Sequence, residues 1–593
     1  MICPICERRC RVEENSVGAC GRYQCHNNTM LERFPNSYLV VAPISAETMP
    51  VLHFHPRAKF LQISTTGCNF DCLGCISTVV AKEMDVQSPA LKKLSPIQIV
   101  NKALEQECDG IAFLMNDPLA SFYSFLEICT LAKECGLLTG CSTNGYFTPE
   151  SLNLLAPHLD FVNIGLKGLC NDIYKSCGAN SYKPVLRNIE LFYRKGVHVE
   201  VACIHKKDND DEVLAIADTI AKISKEIPLQ IMRFIPIDDA NINLEPSILA
   251  SEMLYKKLTS RLDYVYLFNS PGSECLNTYC PECGALIFER DFYGPMGSKL
   301  RTISHNYQNN TCSHCHHKLP IVGNPCQKVF DEDGFEGGYP LTRALEIVEG
   351  TLATLGVTDQ KEVTTCWEEL LRGDGLKRLH VNIQNFEDYA TTIHYLAKMT
   401  HTETTAKKLL AYMRDKIAII AQELPKVITK PRVYYVMGKP LFALEEERLE
   451  NKLVEMAGGI SVNKTLGLKG RPGRKISVET LNALNPDVIF ISSFLDCPLE
   501  EFYTFCEEQG IVVNAVKTKR IYTHLAPCFD FGSPRWILGL MHIANMLHPE
   551  LYHFDVLHEA KFFYQEFYDT PLNITSINRS FAKPSQYHKM LHI

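Results

Sequence analysis

The sequence predicts an α/β protein: a partly closed β/α barrel, then a small cysteine-stapled ribbon, then a second α/β domain. Three observations predict it. Short apolar runs alternate with amphipathic stretches between residues 60 and 268. Two CxxC pairs follow. Strand and helix patterns then resume near residue 430. A chain of 593 residues also exceeds one ordinary domain.

The barrel strands are expected at Phe60–Ser64, Ile111–Met115, Leu138–Ser142, Phe161–Leu166, Val199–Ile204, Gln230–Pro236 and Tyr264–Phe268. Helices are expected between most of them, at Pro96–Glu107, Ser121–Cys135, Pro149–Leu155, Pro184–Lys195, Glu212–Ser224 and Ile248–Leu262. Repeated β-then-α units make a parallel sheet, and in such barrels chemistry sits at the carboxyl ends of the strands. The boundaries read as a cysteine-rich lead-in at 1–30, a barrel at 31–270, a ribbon segment at 271–326, a Gly- and acid-rich linker at 327–340 and a final domain at 341–593. That last domain opens with helical stretches. It continues with a strand at Arg432–Met437, a helix at Arg448–Ala457, and the segments Ser477–Leu484, Asp487–Ser493 and Ile511–Val516.

Composition narrows the function. With 46% apolar and 22% charged residues and a net charge of −8, the chain reads as globular and not as a nucleic-acid binder. The basic run Lys469–Lys475 reads as a solvated loop. No apolar run approaches the roughly 18 residues of a membrane span, and the opening Met1-Ile-Cys-Pro-Ile-Cys has no signal-peptide pattern. A cytoplasmic location is therefore expected. All but four of the 25 cysteines lie at or before Cys326, which points to metal sites in the first half and not to disulfides.

Cys68, Cys72 and Cys75 follow the first barrel strand with C-x3-C-x2-C spacing. Three thiolates on one tight loop can hold three corners of a [4Fe–4S] cubane and leave one iron without a protein ligand. S-adenosylmethionine (SAM) can chelate that iron, and an electron passed to it yields a 5′-deoxyadenosyl radical. The stretch resembles the radical SAM superfamily, and in particular the branch around pyruvate formate-lyase activating enzyme. The resemblance runs from about Cys3 to Cys326. It includes Val51–His55, Asn116-Asp117-Pro118, Ser142–Gly145, Asn163–Gly168, Val197–Glu200 and Pro228–Pro236.

The resemblance implies that Asn116 and Asp117 stand near the SAM amino group, that Thr143 and Asn144 form a turn beside the cofactor, and that Lys167 and Arg233 belong to the same cofactor-binding set. Two departures are visible. Gly74 stands where an aromatic residue commonly precedes the last cluster cysteine, and Gly165 stands where an aspartate precedes the lysine. Such chemistry needs an electron donor of the ferredoxin or flavodoxin type. Cys177, on a loop facing the active end, reads either as a reactive thiol or as one more buried cysteine.

Cys280, Cys283, Cys312 and Cys315 form two CxxC pairs separated by 28 residues, a four-thiolate set suited to zinc, with an auxiliary iron site as the alternative. Cys3, Cys6, Cys10 and Cys20 read as a second zinc or iron–sulfur site, or as free thiols in a folded lead-in. Residues 335–593 resemble the substrate-binding proteins of iron-siderophore and cobalamin ABC transporters, through Lys430–Tyr435, Ala457–Ile460, Ile476–Glu479, Asn485–Phe490, Ala515–Tyr522 and Leu547–Leu551. That implies a two-lobed domain with a ligand between the lobes. The opening strands of the first lobe cannot be found before Leu379. His524, Cys528 and Arg535 fall on the implied ligand-facing loops, or are ordinary loop polars.

The expected activity is reductive SAM cleavage followed by hydrogen abstraction from a protein glycine or from a metal or corrinoid cofactor precursor. The alternative is a non-catalytic metal- or cobamide-binding carrier. The second domain can equally dock the protein that the radical modifies.

Overall fold

The computed structural model describes residues 1–573, apart from 237–240, 333–337, 374, 471 and 496. The middle of the expected linker and Arg471 of the basic run therefore lie outside the described residues. The chain forms two compact units. The first comprises Met1–Pro246, Ala250–Asn269 and Glu274–Arg343; the second comprises Ser247–Leu249, Ser270–Ser273 and the chain from Ala344.

The first unit is built on one eight-stranded sheet whose order follows the chain: β1 (Val40–Ser45), β2 (Lys59–Ser64), β3 (Gly110–Phe113), β4 (Leu138–Thr143), β5 (Phe161–Gly165), β6 (His198–His205), β7 (Leu229–Arg233) and β8 (Val265–Phe268). From β2 to β8 all neighbours are parallel, and β1 pairs antiparallel with β2, Val41 opposite Ile63. The strands form because they are near-continuous apolar runs buried on both faces; β3 and β8 have no exposed residue. Helices α1 (Pro96–Glu105), α2 (Phe122–Glu134), α3 (Pro149–Leu155), α4 (Lys183–Arg194), α5 (Asp210–Ala221) and α6 (Ile248–Leu258) fill the crossovers. Their starts are legible: Ser95 and Gln98 form a capping box before α1, and the Thr148 hydroxyl accepts from Ser151 N at 3.0 Å before α3.

A buried polar network fixes the segment between β1 and β2. The Glu200 carboxylate on β6 accepts from Leu52 N and His53 N, both at 2.8 Å, and from Gln230 Nε2 at 2.5 Å. His53 Nε2 meets the Tyr266 hydroxyl at 2.5 Å. This network accounts structurally for the His53, Asn163 and Glu200 motifs noted in the sequence, since Asn163 Nδ2 donates to Gln230 Oε1 at 2.9 Å.

The ribbon is a three-stranded antiparallel sheet of β9 (Thr278–Tyr279), β10 (Leu286–Phe292) and β11 (Ser298–Ile303). Its small core of Ile287, Phe288, Leu300, Leu319 and Ile321 includes the buried Cys280 and Cys312.

The second unit contains helices α7 (Gly338–Ala353), α8 (Gln360–Arg372), α9 (Gly375–Asn382), α10 (Phe386–Met399) and α11 (Glu403–Glu423) before its first strand. Among the described residues of this unit no strand precedes β12 (Arg432–Val436), which agrees with the absence of opening strands from the sequence pattern. The sheet then runs β15 (Gly473–Lys475), β13 (Phe442–Leu444), β12, β16 (Val488–Ile491), β17 (Ile521–Tyr522), with β14 (Ile460–Ser461) beside β12. β12, β16 and β17 are parallel neighbours. The apolar segment Ile511–Val516 joins no ladder; its last residues enter the short helix Asn514–Lys517. No helix of the described residues is long and apolar enough to cross a membrane.

Candidate active site

β2 ends at Ser64, and the loop behind it carries Cys68, Cys72 and Cys75 to the carboxyl edge of the sheet. Gly67 (φ +86°) makes the turn, and an added Cβ there would sit 3.3 Å from Arg22 Cδ. Asn116, at the end of β3, braces the loop from below. Its side-chain oxygen accepts from Thr65 N at 3.1 Å, and its amide donates to Thr65 Oγ1 at 3.0 Å and Gly67 O at 2.8 Å. Asn144, at the end of β4, braces it from the side: Nδ2 donates to Asn69 Oδ1 at 2.7 Å and lies 3.9 Å from Cys68 Sγ. The amide of Phe70 points at Cys68 Sγ, 3.4 Å away.

Asp117 is buried and saturated. It accepts from Leu119 N at 3.0 Å, Thr143 Oγ1 at 3.0 Å and Asn144 N at 2.6 Å. Burial pushes its carboxyl up to about 6 although these donors oppose the shift. Its visible work is to join the ends of β3 and β4.

Lys167, after β5, brings the positive charge. Burial opposes its protonation, yet the sulfurs of Cys72, Cys75, Cys177 and Cys68 together raise its ammonium above the ordinary lysine range. Gly165 leaves that charge unpaired from its own strand: a Cβ there would meet Lys167 Nζ at 3.2 Å. Gly74, by contrast, has φ +62° and open space where a Cβ would point.

Cys177 ends the short helix Asn171–Ser176; its carbonyl accepts from Asp71 N at 2.9 Å. Its thiol neighbours that of Cys72, and the interaction of the two, with the charges of Lys167 and Lys82, holds Cys72 below the ordinary thiol range. The structure thus places Cys177 beside the cysteine loop, as a neighbour of Cys72. Arg233 is clamped at the end of β7, donating to Asn269 O at 2.9 Å, Glu245 Oε1 at 2.8 Å and Pro246 O at 2.7 Å. Its Nη2 has no hydrogen-bond partner among the described residues.

Sequence reasoning missed three residues here. The hydroxyls of Ser64, Thr66 and Ser77 are buried beside the cysteine loop without a hydrogen-bond partner among the described residues. Buried polar groups are normally paired, so these hydroxyls are free to meet a bound group. Three thiols on one loop, a lysine charge and unpaired hydroxyls fit a [4Fe–4S] cluster with SAM.

In the ribbon, the sulfurs of Cys280, Cys283, Cys312 and Cys315 all lie within 4.8 Å of one another. Both knuckles have the same turn: Gly284 N donates to Cys280 O and His316 N to Cys312 O, with Gly284 and His316 at positive φ. This set can hold one metal ion. Cys3, Cys6, Cys10 and Cys20 line one small cavity with Tyr23 and Asn69.

In the second unit, a polar cluster sits at the carboxyl ends of β12, β16 and β17. Tyr435 Oη lies 2.5 Å from His524 Nε2 and 3.3 Å from Asp530 Oδ2, and Ser493 N donates to Asp530 Oδ2 at 3.0 Å. Arg448 Nη2 pairs with Glu450 Oε1 at 2.6 Å. His524 Nδ1 is buried without a hydrogen-bond partner among the described residues, and burial lowers the ring below the ordinary histidine range. Carboxyl ends of parallel strands are where open α/β sheets take ligands. Of the other two residues proposed for this edge, Cys528 has φ +62°, and Arg535 is engaged with Ser533 Oγ at 2.8 Å and Tyr564 Oη at 3.0 Å.

Residues 63–220 match the Radical SAM superfamily family model, and residues 336–525 match that of the Periplasmic binding protein. The chain carries a radical SAM domain. A periplasmic-binding-protein-like domain follows it. An uncharacterized protein of Methanocaldococcus jannaschii is 29% identical over 326 residues, covering 54% of this chain and 95% of that protein. Among solved structures, a periplasmic solute binding protein of Veillonella parvula is 25% identical with TM-score 0.31, covering 33% of this chain and 61% of its own. Helicobacter pylori CeuE in a Ni-His complex is 26% identical with TM-score 0.27, covering 31% and 58%. The chain thus spans about three fifths of the length of these solved proteins.

Proposed function

We propose that the protein is a radical SAM enzyme that cleaves SAM reductively and removes a hydrogen atom from a small metal-bearing or corrinoid-type cofactor precursor. The observation that carries this reading is the gathering of Cys68, Cys72 and Cys75 with Lys167 and three unpaired hydroxyls at one edge of the barrel. When bound there, a [4Fe–4S] cluster with SAM supplies a 5′-deoxyadenosyl radical. The chain's own residues do the rest. Asn116 and Asn144 fix the loop, and Lys167 offsets the negative charge of the thiolates. Ser64, Thr66 and Ser77 offer hydroxyls to the polar parts of SAM. The second unit supports the substrate class, because its matched fold and the Tyr435–His524–Asp530 cluster suit a ligand carrying metal or carboxylates. The ribbon set takes zinc, since four thiolates at this spacing form a closed tetrahedral site. A chain with 25 free thiols works in a reducing compartment such as the cytoplasm.

The test is anaerobic reconstitution of the full chain, with dithionite and SAM added and 5′-deoxyadenosine measured. Release from the wild type and none from C68A/C72A/C75A is expected; no release from the wild type leaves a non-catalytic carrier. Titration of the full chain with cobalamin and with a ferric catecholate tests the substrate class. If neither binds, a protein glycine becomes the better substrate and the second unit a docking module.

A further inference from the structure

We propose that Cys3, Cys6, Cys10 and Cys20 hold a second iron–sulfur cluster, not a zinc ion, set beside the Cys68 loop. The structure brings these four thiols, scattered over the first 20 residues, around one cavity closed by Tyr23 and Asn69. The fold is arranged for it. Cys3 N donates to Cys10 O at 2.9 Å, and Arg9, at φ +48°, turns the chain so that its amide reaches Cys6 O at 3.0 Å. Tyr23 is pinned by donating to Leu119 O at 2.7 Å. Cys3 and Cys6 are buried and Cys10 and Cys20 half-buried.

Spacing selects the metal. A single tetrahedral zinc with Zn–S near 2.3 Å needs its sulfurs roughly 3.8 Å apart. The ribbon cysteines meet that demand, with pairs at 3.5 and 3.7 Å. Among the described residues, no three of the four N-terminal sulfurs lie within 4.8 Å of one another. The same holds for Cys68, Cys72 and Cys75. Sulfurs bound to different irons of one cubane stand farther apart than sulfurs sharing one ion. By spacing, the N-terminal four therefore belong with the cluster loop and not with the ribbon.

The two sites are neighbours. Arg8 Nη1 donates to Asn69 O at 2.8 Å, one residue from Cys68, and a Cβ on Gly67 would lie 3.7 Å from Cys20 O. There the cluster takes one electron from a low-potential iron–sulfur or flavin donor and yields it toward the Cys68 loop. Its charge changes by one, and no bond is broken. The site stands without the radical reading; the relay rests on it.

The experiment is anaerobic reconstitution of the full chain with iron, sulfide and an equal amount of zinc, followed by metal analysis and electron paramagnetic resonance. The wild type is expected to hold about eight irons and one zinc. C68A/C72A/C75A should keep about four irons in a cubane whose spectrum ignores SAM, and C3S/C6S about four in one that responds to SAM. Fully reduced wild type should show spin-coupled broadening that both variants lose. Two zincs and no iron in C68A/C72A/C75A, or neither metal beyond the ribbon zinc, overturns the assignment. That variant decides alone if C3S/C6S fails to fold. Eight irons with no response to SAM in the wild type would sink the radical reading and leave this site standing.

Discussion

Replacing Asn116 by alanine should loosen the cluster loop while leaving every cysteine in place. Asn116 is 4% exposed and makes three hydrogen bonds, at 3.1, 3.0 and 2.8 Å, to Thr65 N, Thr65 Oγ1 and Gly67 O. Thr65 is wholly buried, so its amide finds no water when the acceptor is removed. An orphaned buried donor costs about 1–3 kcal/mol, and each remaining bond contributes about 1 kcal/mol. A total near 3 kcal/mol is about a hundredfold in the equilibrium between closed and open loop. Spread over a unit of roughly 340 residues at about 2.1 cal/mol/K each, the same 3 kcal/mol lowers the melting midpoint by only about 4 °C. Global stability should therefore fall slightly while iron retention falls steeply. The assay compares calorimetric midpoints with the rate at which a ferrous chelator strips iron from N116A and wild type. Equal stripping rates, or a midpoint loss with no change in stripping, would refute the brace.

Other perturbations follow from the same geometry. Burial lowers the His53 ring to about 3, so between pH 6.5 and 3 the unfolded chain binds the proton that the folded chain refuses; stability then falls with pH, by about 1.4 kcal/mol per unit below 6.5. A calorimetric midpoint that stays level from pH 7 to 5 would contradict this. Lys167→Met removes a cation beside four sulfurs, and a more negative environment should lower the cluster's reduction potential by tens of millivolts, read by redox titration; an unchanged or raised potential would remove Lys167 from the site. Chelation of the ribbon metal, or Cys283→Ser, should expose residues 275–326 to trypsin, because the small core around Ile287 and Phe288 cannot hold the turns alone; a metal-free ribbon that still resists cleavage would make the ion dispensable. Tyr435→Phe should cut ferric-chelate or cobalamin binding severalfold, since His524 then loses the one side-chain hydrogen bond described for it; unaltered binding would place the ligand elsewhere.

The barrel was legible because its strands are buried on both faces and read as unbroken apolar runs. Each of the seven expected strands is present, with ends shifted by a few residues, as at Gln230–Pro236 against Leu229–Arg233. β1 was not legible: it is the antiparallel edge, its second and fourth residues are only partly buried, and Pro43 interrupts its pattern. At the site, the cysteine spacing was visible in one stretch of chain, but the braces were not. Asn116 and Asp117 read as cofactor ligands; the structure engages them with Thr65, Gly67, Thr143 and Asn144, contacts 26 to 51 positions away. The pairing of Cys72 with Cys177 spans a separation over which no local pattern acts. Tyr435 was hidden for the opposite reason. It lies in a strand that reads as pure core, and its hydroxyl gains meaning only when β17 delivers His524 beside it.

The count of cysteines alone could not single out the ribbon set, and distance does. All three sets present several thiols within a short span of chain, and any of them satisfies a motif for zinc or for iron. A knuckle draws its sulfurs together because Gly284 and His316 reverse the chain directly behind each pair, which leaves room for one ion only. The Cys68 loop turns instead before its cysteines, at Gly67 and Gly74. Its cysteines lie on a loop braced by Asn116 and Asn144 and faced by a lysine, and so can hold a multinuclear centre with one corner left for a ligand. Residues without any affinity for metal, two asparagines above all, thus hold the loop on which the cysteines are presented.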